Sequence, residues 1–329
     1  MIAEMPAPTQ TASDPAQHMT CLEIWGGNQP FDNAVVMPGL DAWVYSKPYG
    51  QSDAGGDVYY VSSCATGRIT RLLLADVSGH GAVVSETAKA LRRLMQRFVN
   101  FIDQTAFVRS MNGQFAELSD AGTFATAIVS TFFAPTNELR LCVAGHPAPL
   151  HYRAATGTWG LLGDVNDPES GNVGNIPLGI VDMPDWAQFD VRLGVGDLVI
   201  GYTDSLVESK GRDGEMLNPR GLLEIARTLD VSDPKQVIPN LLAAVEEQAE
   251  GNLLSDDVTV LLFRPNGSSP RVPLKDRVCA PFRVARSIGK AIVTRKGPIP
   301  WPEMSLPNIG GAMIGWFNRL GSKKVAPPS

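Results

Sequence analysis

Apolar residues recur along this chain with two different periods, and each change of period marks an element. The runs GDVYYVSS (56–63) and RITRLLLADV (68–77) are rich in valine, tyrosine, isoleucine and leucine. With the turn-like ATG between them they predict a β-hairpin. From 81 to 103 the period lengthens: Val84, Ala88, Leu91, Met95 and Val99 share one face, which predicts one long amphipathic helix. GTFATAIVSTFFA, ELRLCVAG and APLHYRA then read as strands joined by short turns, an antiparallel meander. Residues 161–179 are rich in Gly, Asn, Asp and Pro and read as a surface loop. AQFDVRLGVGDLVIGYT gives two more strands around a glycine-containing turn, helical patterns follow near 219–229 and 234–249, and DVTVLLFR is a last strand. Many consecutive strands, with helices in separate blocks, predict an α+β fold of antiparallel sheet with helices packed outside.

Composition bounds this picture. The chain has 329 residues and is 44% hydrophobic, enough for one sizeable core with extensions. Its four cysteines form no CxxC pair, which argues against a zinc site or a disulfide framework. No run of about 18 apolar residues suggests a membrane span. Residues 1–20 are Pro-, Ala-, Thr- and Gln-rich without an apolar stretch, and read as a flexible leader rather than a signal peptide. A reduced, cytoplasmic setting is expected.

Charge divides the chain in two. Residues 264–329 hold twelve Lys/Arg and two Asp/Glu, net +10, which leaves residues 1–263 at net −16. The domain layout expected is a leader (1–20), a folded body (21–264) and a basic, proline-containing tail (265–329). Within the tail, Ile309, Met313, Trp316, Phe317 and Leu320 fall on one helical stripe, a possible short amphipathic helix over 308–321. It would either dock back on the body or meet an anionic surface or partner. Peripheral membrane association is the membrane version of that contact, and no specific nucleic-acid binding is expected.

The carboxylates change the picture most. A hairpin turn centred on Thr66 and Gly67 sets Asp57 opposite Asp76. Directly opposed like charges are destabilising, so the pair asks for a cation or a shared proton. Asp204 ends another apolar strand, and Asp256 and Asp257 open one. Aspartates gathered at strand ends suit Mg²⁺ or Mn²⁺ better than zinc. Any one of them alone could be a helix cap or a turn residue.

The motifs AGGDVYYV, LLLADVSGHG, TFATAIVSTF, VAGHPAPL, IPLGI, GDLVIGYTDSLVES and SDDVTVLLF stand in the order seen in PPM-type metal-dependent protein serine/threonine phosphatases. The resemblance is to the bacterial SpoIIE/RsbU-like branch and covers roughly residues 55–263. It implies a four-layer α-β-β-α sandwich of two antiparallel sheets flanked by helices, with two divalent cations, Mn²⁺ or Mg²⁺, at one edge. By motif, Asp76 matches the aspartate that bridges the two metals and Val77 the residue whose backbone carbonyl meets one of them. Asp204 and Asp256 match ligands of the other metal, and Asp57 matches the acidic position that holds the second metal directly or through water. Asp257 is expected to support the site or shape its turn. The implied reaction is hydrolysis of phosphoserine or phosphothreonine by a metal-bridging water, which makes Asp76, Asp204 and Asp256 the catalytic candidates.

His80 is a further candidate, for proton transfer, against a role in shaping the loop or the helix start. Relatives outside this branch carry a catalytic histidine two residues after the bridging aspartate, and here that residue is Ser78. His146 reads as a turn residue near the site rim. Ser85 and Ser205 have no base at recognisable spacing, so a Ser-His-Asp hydrolase is not supported. GGDVYY shares only its first residues with the GG[D/E]EF signature of nucleotide cyclases. A catalytically inactive binding module with the same fold is the remaining rival. Members of this branch act in bacterial partner-switching signalling on a STAS-domain anti-sigma-factor antagonist, so the expected partner is a phosphorylated protein of that kind. Many carry sensor domains, and the residues before GGD are too few for one.

Overall fold

The computed structural model describes residues 17–18, 24–50, 52–64, 67–79, 82–98, 103–118, 122–163, 175–182 and 186–268. The predicted tail helix over 308–321, and nearly all of the tail, lie outside them.

One sheet has seven strands: β1 (Gln17–His18), β3 (Phe31–Met37), β4 (Leu40–Lys47), β9 (Leu150–Arg153), β10 (Thr158–Leu161), β12 (Leu198–Tyr202) and β13 (Val258–Pro265). Their spatial order is β1-β3-β4-β13-β12-β9-β10. The other has six: β2 (Ile24–Gly27), β5 (Val58–Cys64), β6 (Ile69–Val77), β7 (Ala125–Phe133), β8 (Glu138–Ala144) and β11 (Gln188–Arg192), in the order β11-β8-β7-β6-β5-β2. All named pairings are antiparallel except β1 with β3. Gln17 and His18, within the stretch read as leader, make that parallel pair with Val35 and Val36.

Helices α1 (Ala82–Phe98) and α2 (Gln104–Leu118) cover the six-stranded sheet. Helices α3 (Ser205–Glu208), α4 (Asn218–Ala226) and α5 (Pro234–Glu246) cover the other. The expected four-layer α-β-β-α sandwich is the architecture found.

Three apolar layers follow from strand parity. Along β6, Leu72 and Leu74 point between the sheets, whereas Leu73, Ala75 and Val77 meet α1 and α2. Along β13, Leu261 and Phe263 face the other sheet, and Val258, Val260 and Leu262 face α4 and α5. Central strands buried on both faces must be apolar throughout, which is why these runs lack alternation.

Three sequence expectations need correction. The helix expected to run to 103 ends as α1 at Phe98, and α2, which the sequence reading did not find, begins at Gln104. Asp103 caps α2, accepting from the Ala106 amide at 2.8 Å. Of the predicted stripe, Val84, Ala88, Leu91 and Met95 are buried, and Val99 lies outside the described residues. The three-stranded meander breaks after β8: Gly145 takes φ +67° and the chain crosses to the other sheet, where β9 pairs with β12. Likewise β11 and β12, read as neighbours around one turn, belong to different sheets. Hydrophobic pattern identifies strands but not the sheet that receives them.

Candidate metal centre

The same parity that fills the middle layer delivers acidic and hydroxyl groups to one end of it. Asp57 shares the face of Tyr59 and Val61, Asp76 that of Leu72 and Leu74, and Asp257 that of Leu261. Thr203 and Thr259 share it too, from the ends of β12 and β13. Where the apolar layer stops, these residues begin.

The hairpin register is the expected one. Val58 pairs with Ala75, so Asp57, one residue further, stands opposite Asp76. On its other side Asp76 pairs with Thr126 of β7. Asp57 is buried, and its Oδ2 accepts from the Thr203 hydroxyl at 2.8 Å. The Val77 amide reaches the Gly56 carbonyl at 3.4 Å, which sets the Val77 backbone beside the Gly55–Asp57 loop. Asp204 occupies the cap position of α3, yet its side chain makes no capping hydrogen bond. The helix-cap explanation of this aspartate therefore does not hold. Asp256 is exposed and accepts from the Asp257 amide at 2.8 Å. The Asp257 carboxylate accepts from the amides of Tyr49, Gly56 and Asp57.

Burial and mutual repulsion act together on this group. Burial first, then the charges of Asp76 and Asp257, push Asp57 well above the usual carboxylate range, against the hydroxyls of Thr259 and Thr203. Burial, followed by Asp204, Asp256, Asp257 and Glu208, pushes Asp76 up to about 7. Burial, then Glu208 and Asp256, pushes Asp204 up to about 6, with the Ser205 amide opposing. No basic side chain is among the main influences on these three acids. Such a set is held together at neutral pH by protons or by cations.

Among the described residues no three His, Cys, Asp or Glu side chains are grouped closely enough to hold a cation as they stand. The donor chemistry nevertheless fits a hard divalent cation. The converging groups are carboxylates, with the Val77 backbone beside them, and each of the three shifted acids would be relieved by a positive charge. Of the sequence candidates, Asp76 feels the charges of Asp204 and Asp256, and Asp57 feels that of Asp76. His80 lies outside the described residues.

Three residues behave differently from expectation or were missed. His146 is not a rim turn but a buried bridge: Nε2 donates to the Tyr202 carbonyl at 2.9 Å, and Nδ1 accepts from the Thr126 hydroxyl at 2.7 Å. It joins the cross-strand partner of Asp76 to the segment leading into Asp204. Burial pushes its pKa down to about 4, so the ring is neutral at pH 7 and can serve as both acceptor and donor. Thr203 and Thr259 were missed, although a threonine at inward parity beside an acidic strand end is a readable signal. Ser78, at the position where other relatives carry histidine, accepts from the Phe124 amide at 3.0 Å and so closes a strand end. Ser85 accepts from the Asn28 side chain, and the Ser205 hydroxyl is buried without a hydrogen-bond partner among the described residues, neither arrangement being that of an activated nucleophile.

The sequence pattern of the SpoIIE family (stage II sporulation protein E) matches residues 66–266. The fold is similar to that of the RsbU and RsbW domains of a Mycobacterium tuberculosis protein, with TM-score 0.57 and 19% identity over 87% of this chain and 75% of that one. It is also similar to the PP2C phosphatase domain and regulatory fragment of SpoIIE from Bacillus subtilis, with TM-score 0.55 and 18% identity over 75% and 64% of the two chains. RsbX in complex with magnesium matches with TM-score 0.51 and 14% identity over 71% of this chain and all of that one (100%).

Proposed function

Since the chain belongs to the SpoIIE family, a SpoIIE/RsbU-like branch of the PPM phosphatases, we propose that it hydrolyses phosphoserine or phosphothreonine on a signalling protein, using divalent cations held at the acidic edge. One observation carries the reading. Asp57 and Asp76 stand opposite each other at the end of the β5–β6 hairpin, Asp204 follows β12 of the other sheet and acts on Asp76, and all three are raised by burial and negative neighbours. Perturbed acids gathered in this way are the mark of a functional site.

In this reading Asp57, Asp76, Asp204, Asp256 and the Val77 carbonyl hold two cations, Mn²⁺ or Mg²⁺. When bound, such cations acidify water and offset the charge that builds on phosphoryl oxygens. The chain's own contribution is positional. Thr203 and Thr259 aim Asp57 from the opposite sheet, the β5–β6 register sets Asp76 against it, and His146 ties the Thr126 strand to the Tyr202 carbonyl. The acidic body repels a bare phosphate, so the cations and not Lys or Arg would receive it. The magnesium described in RsbX supports a cation of that class.

The RsbU and RsbW domains of the similar M. tuberculosis protein support a partner-switching setting, and the substrate we propose within it, from the resemblance to this branch, is a phosphorylated STAS-domain antagonist. No described helix is long and apolar enough to cross a membrane. The test is phosphoproteomics of a strain carrying Asp76→Asn against wild type. Accumulation of one or a few phosphoserine or phosphothreonine sites is expected. An unchanged phosphoproteome would leave a PPM-fold binding module as the better account.

A further inference from the structure

The side chain of Asp257 is directed away from the role its neighbours share. Its Oδ1 lies 2.6 Å from the Tyr49 amide, and its Oδ2 lies 2.6 Å from the Gly56 amide and 3.3 Å from that of Asp57. Three backbone N–H groups, two of them consecutive, converge on one carboxylate about two hundred residues away in sequence. Hydrogen bonds to an ionised acceptor are roughly twice as strong as neutral ones, and three of them occupy most of the lone-pair directions. The chain is also built for the approach: a Cβ on Gly55 would come within 2.2 Å of the Asp257 carboxylate. On its other side Gly55 is held by Asn28, whose carbonyl accepts from the Gly55 amide at 2.8 Å and whose side chain donates to the Gly55 carbonyl at 2.9 Å.

We propose that Asp257 is the positioning residue of the metal centre: it is spent on the backbone of the Gly55–Asp57 loop and thereby fixes where the Asp57 carboxylate stands. The proposal rests on the metal-site reading above. Asp57 sits just before β5, where the last tie to β6 is the long 3.4 Å bond from the Val77 amide to the Gly56 carbonyl, so the register holds it only weakly. With the Gly56 and Asp57 amides clamped, the side chain has one approach to the edge, where Thr203 receives it. Asparagine at 257 would keep one acceptor oxygen and turn an NH₂ group towards amide donors, so it would clamp only half as well.

Two variants test this, Asp257→Ala and Gly55→Ala, with Asp257→Asn between them. The second leaves Asp257 in place and drives a methyl group onto it, so a folding failure of one variant does not stop the test. Mn²⁺ affinity is measured by calorimetry on cation-free protein. Amide hydrogen exchange is measured at Gly56 and Asp57, and turnover is followed as Mn²⁺ is raised. Removing a partner that orients a metal ligand typically costs about 10–100-fold in metal affinity. That loss is expected for Asp257→Ala and Gly55→Ala, with a smaller one for Asp257→Asn. Turnover should recover at saturating Mn²⁺, and the Gly56 and Asp57 amides should lose protection. Mn²⁺ affinity within twofold of wild type, or unchanged protection at both amides, would overturn the proposal. So would turnover that saturating Mn²⁺ does not recover, since that is the behaviour of a ligand. Wild-type protein that binds no Mn²⁺ would instead refute the metal-site reading, and the exchange measurement would still decide whether Asp257 clamps the loop.

Discussion

The Thr203 hydroxyl donates to the Asp57 carboxylate across 2.8 Å, joining the end of β12 in one sheet to the start of β5 in the other. The same hydroxyl oxygen accepts from the Thr259 amide at 3.0 Å, and of the two acceptors within its reach Asp57 is nearer than the Thr259 carbonyl at 3.4 Å. Thr203→Val keeps the shape and removes these bonds. Losing a hydrogen bond to a charged or buried acceptor costs about 1–3 kcal/mol. Urea denaturation of the cation-free protein should show a loss of that size. A smaller Mn²⁺ affinity is expected in the same variant.

His146 makes stability depend on acid. Its pKa is about 4 in the fold against 6.5 for an ordinary histidine, so the fold favours the neutral ring. The contribution is fully present above pH 6.5 and declines as pH falls from 6.5 towards 4. Its full size is about 3 kcal/mol. The stability gap between wild type and His146→Ala, measured by urea denaturation, should therefore narrow across that window. A constant gap from pH 7 to pH 4 would contradict the assignment.

The acids run the other way. Burial and repulsion push Asp76 and Asp204 up to about 7 and 6 in the fold from an ordinary 3.8, so without cations their contribution to stability is fully present below pH 3.8 and is lost as pH rises from there through 6 and 7. Cation binding must displace those protons. Mn²⁺ affinity should rise between pH 5 and 7, and calorimetry in buffers of different ionisation heat should detect proton release. Asp76→Asn removes one repelling charge, so its cation-free melting temperature at pH 8 should exceed that of wild type, while its Mn²⁺-induced rise should vanish.

The crossing from one sheet to the other depends on Gly145. Its φ is +67°, and a Cβ there would meet the Pro177 ring at 2.4 Å. Gly145→Ala should destabilise by about 2 kcal/mol or more, from backbone strain and overpacking together. A thermal melt equal to wild type would show that the turn tolerates a side chain.

Much of this was legible in sequence because it depends on local pattern. The two-residue period fixed the β5–β6 register from a turn at Thr66 and Gly67, and with it the opposition of Asp57 and Asp76. Extending the same parity to Thr203 and Thr259 would have found the hydroxyls that hold Asp57. What stayed hidden depends on long-range choices. Nothing local in VAGHPAPL says that β9 leaves the sheet of β8, so His146 reads as a turn residue near the site rim, whereas its ring is a buried bridge. The α2 stretch QTAFVRSMNGQFAEL buries Gln104 and Asn112 alongside Phe107, Met111 and Phe115, and polar residues on the buried face blur the helical period. Gln104 is satisfied there by the Val129 carbonyl and by Arg71, and Asn112 by Gly179 and Val181, partners that only the tertiary fold supplies.

The most direct test of the central claim is hydrolysis of p-nitrophenyl phosphate by the purified protein, before and after removal of cations and on restoring Mn²⁺. Turnover that chelation abolishes and Mn²⁺ restores is expected for wild type, with Asp76→Asn and Asp204→Asn at least about 100-fold slower. No cation-dependent turnover, or wild type no faster than the two variants, would contradict the account.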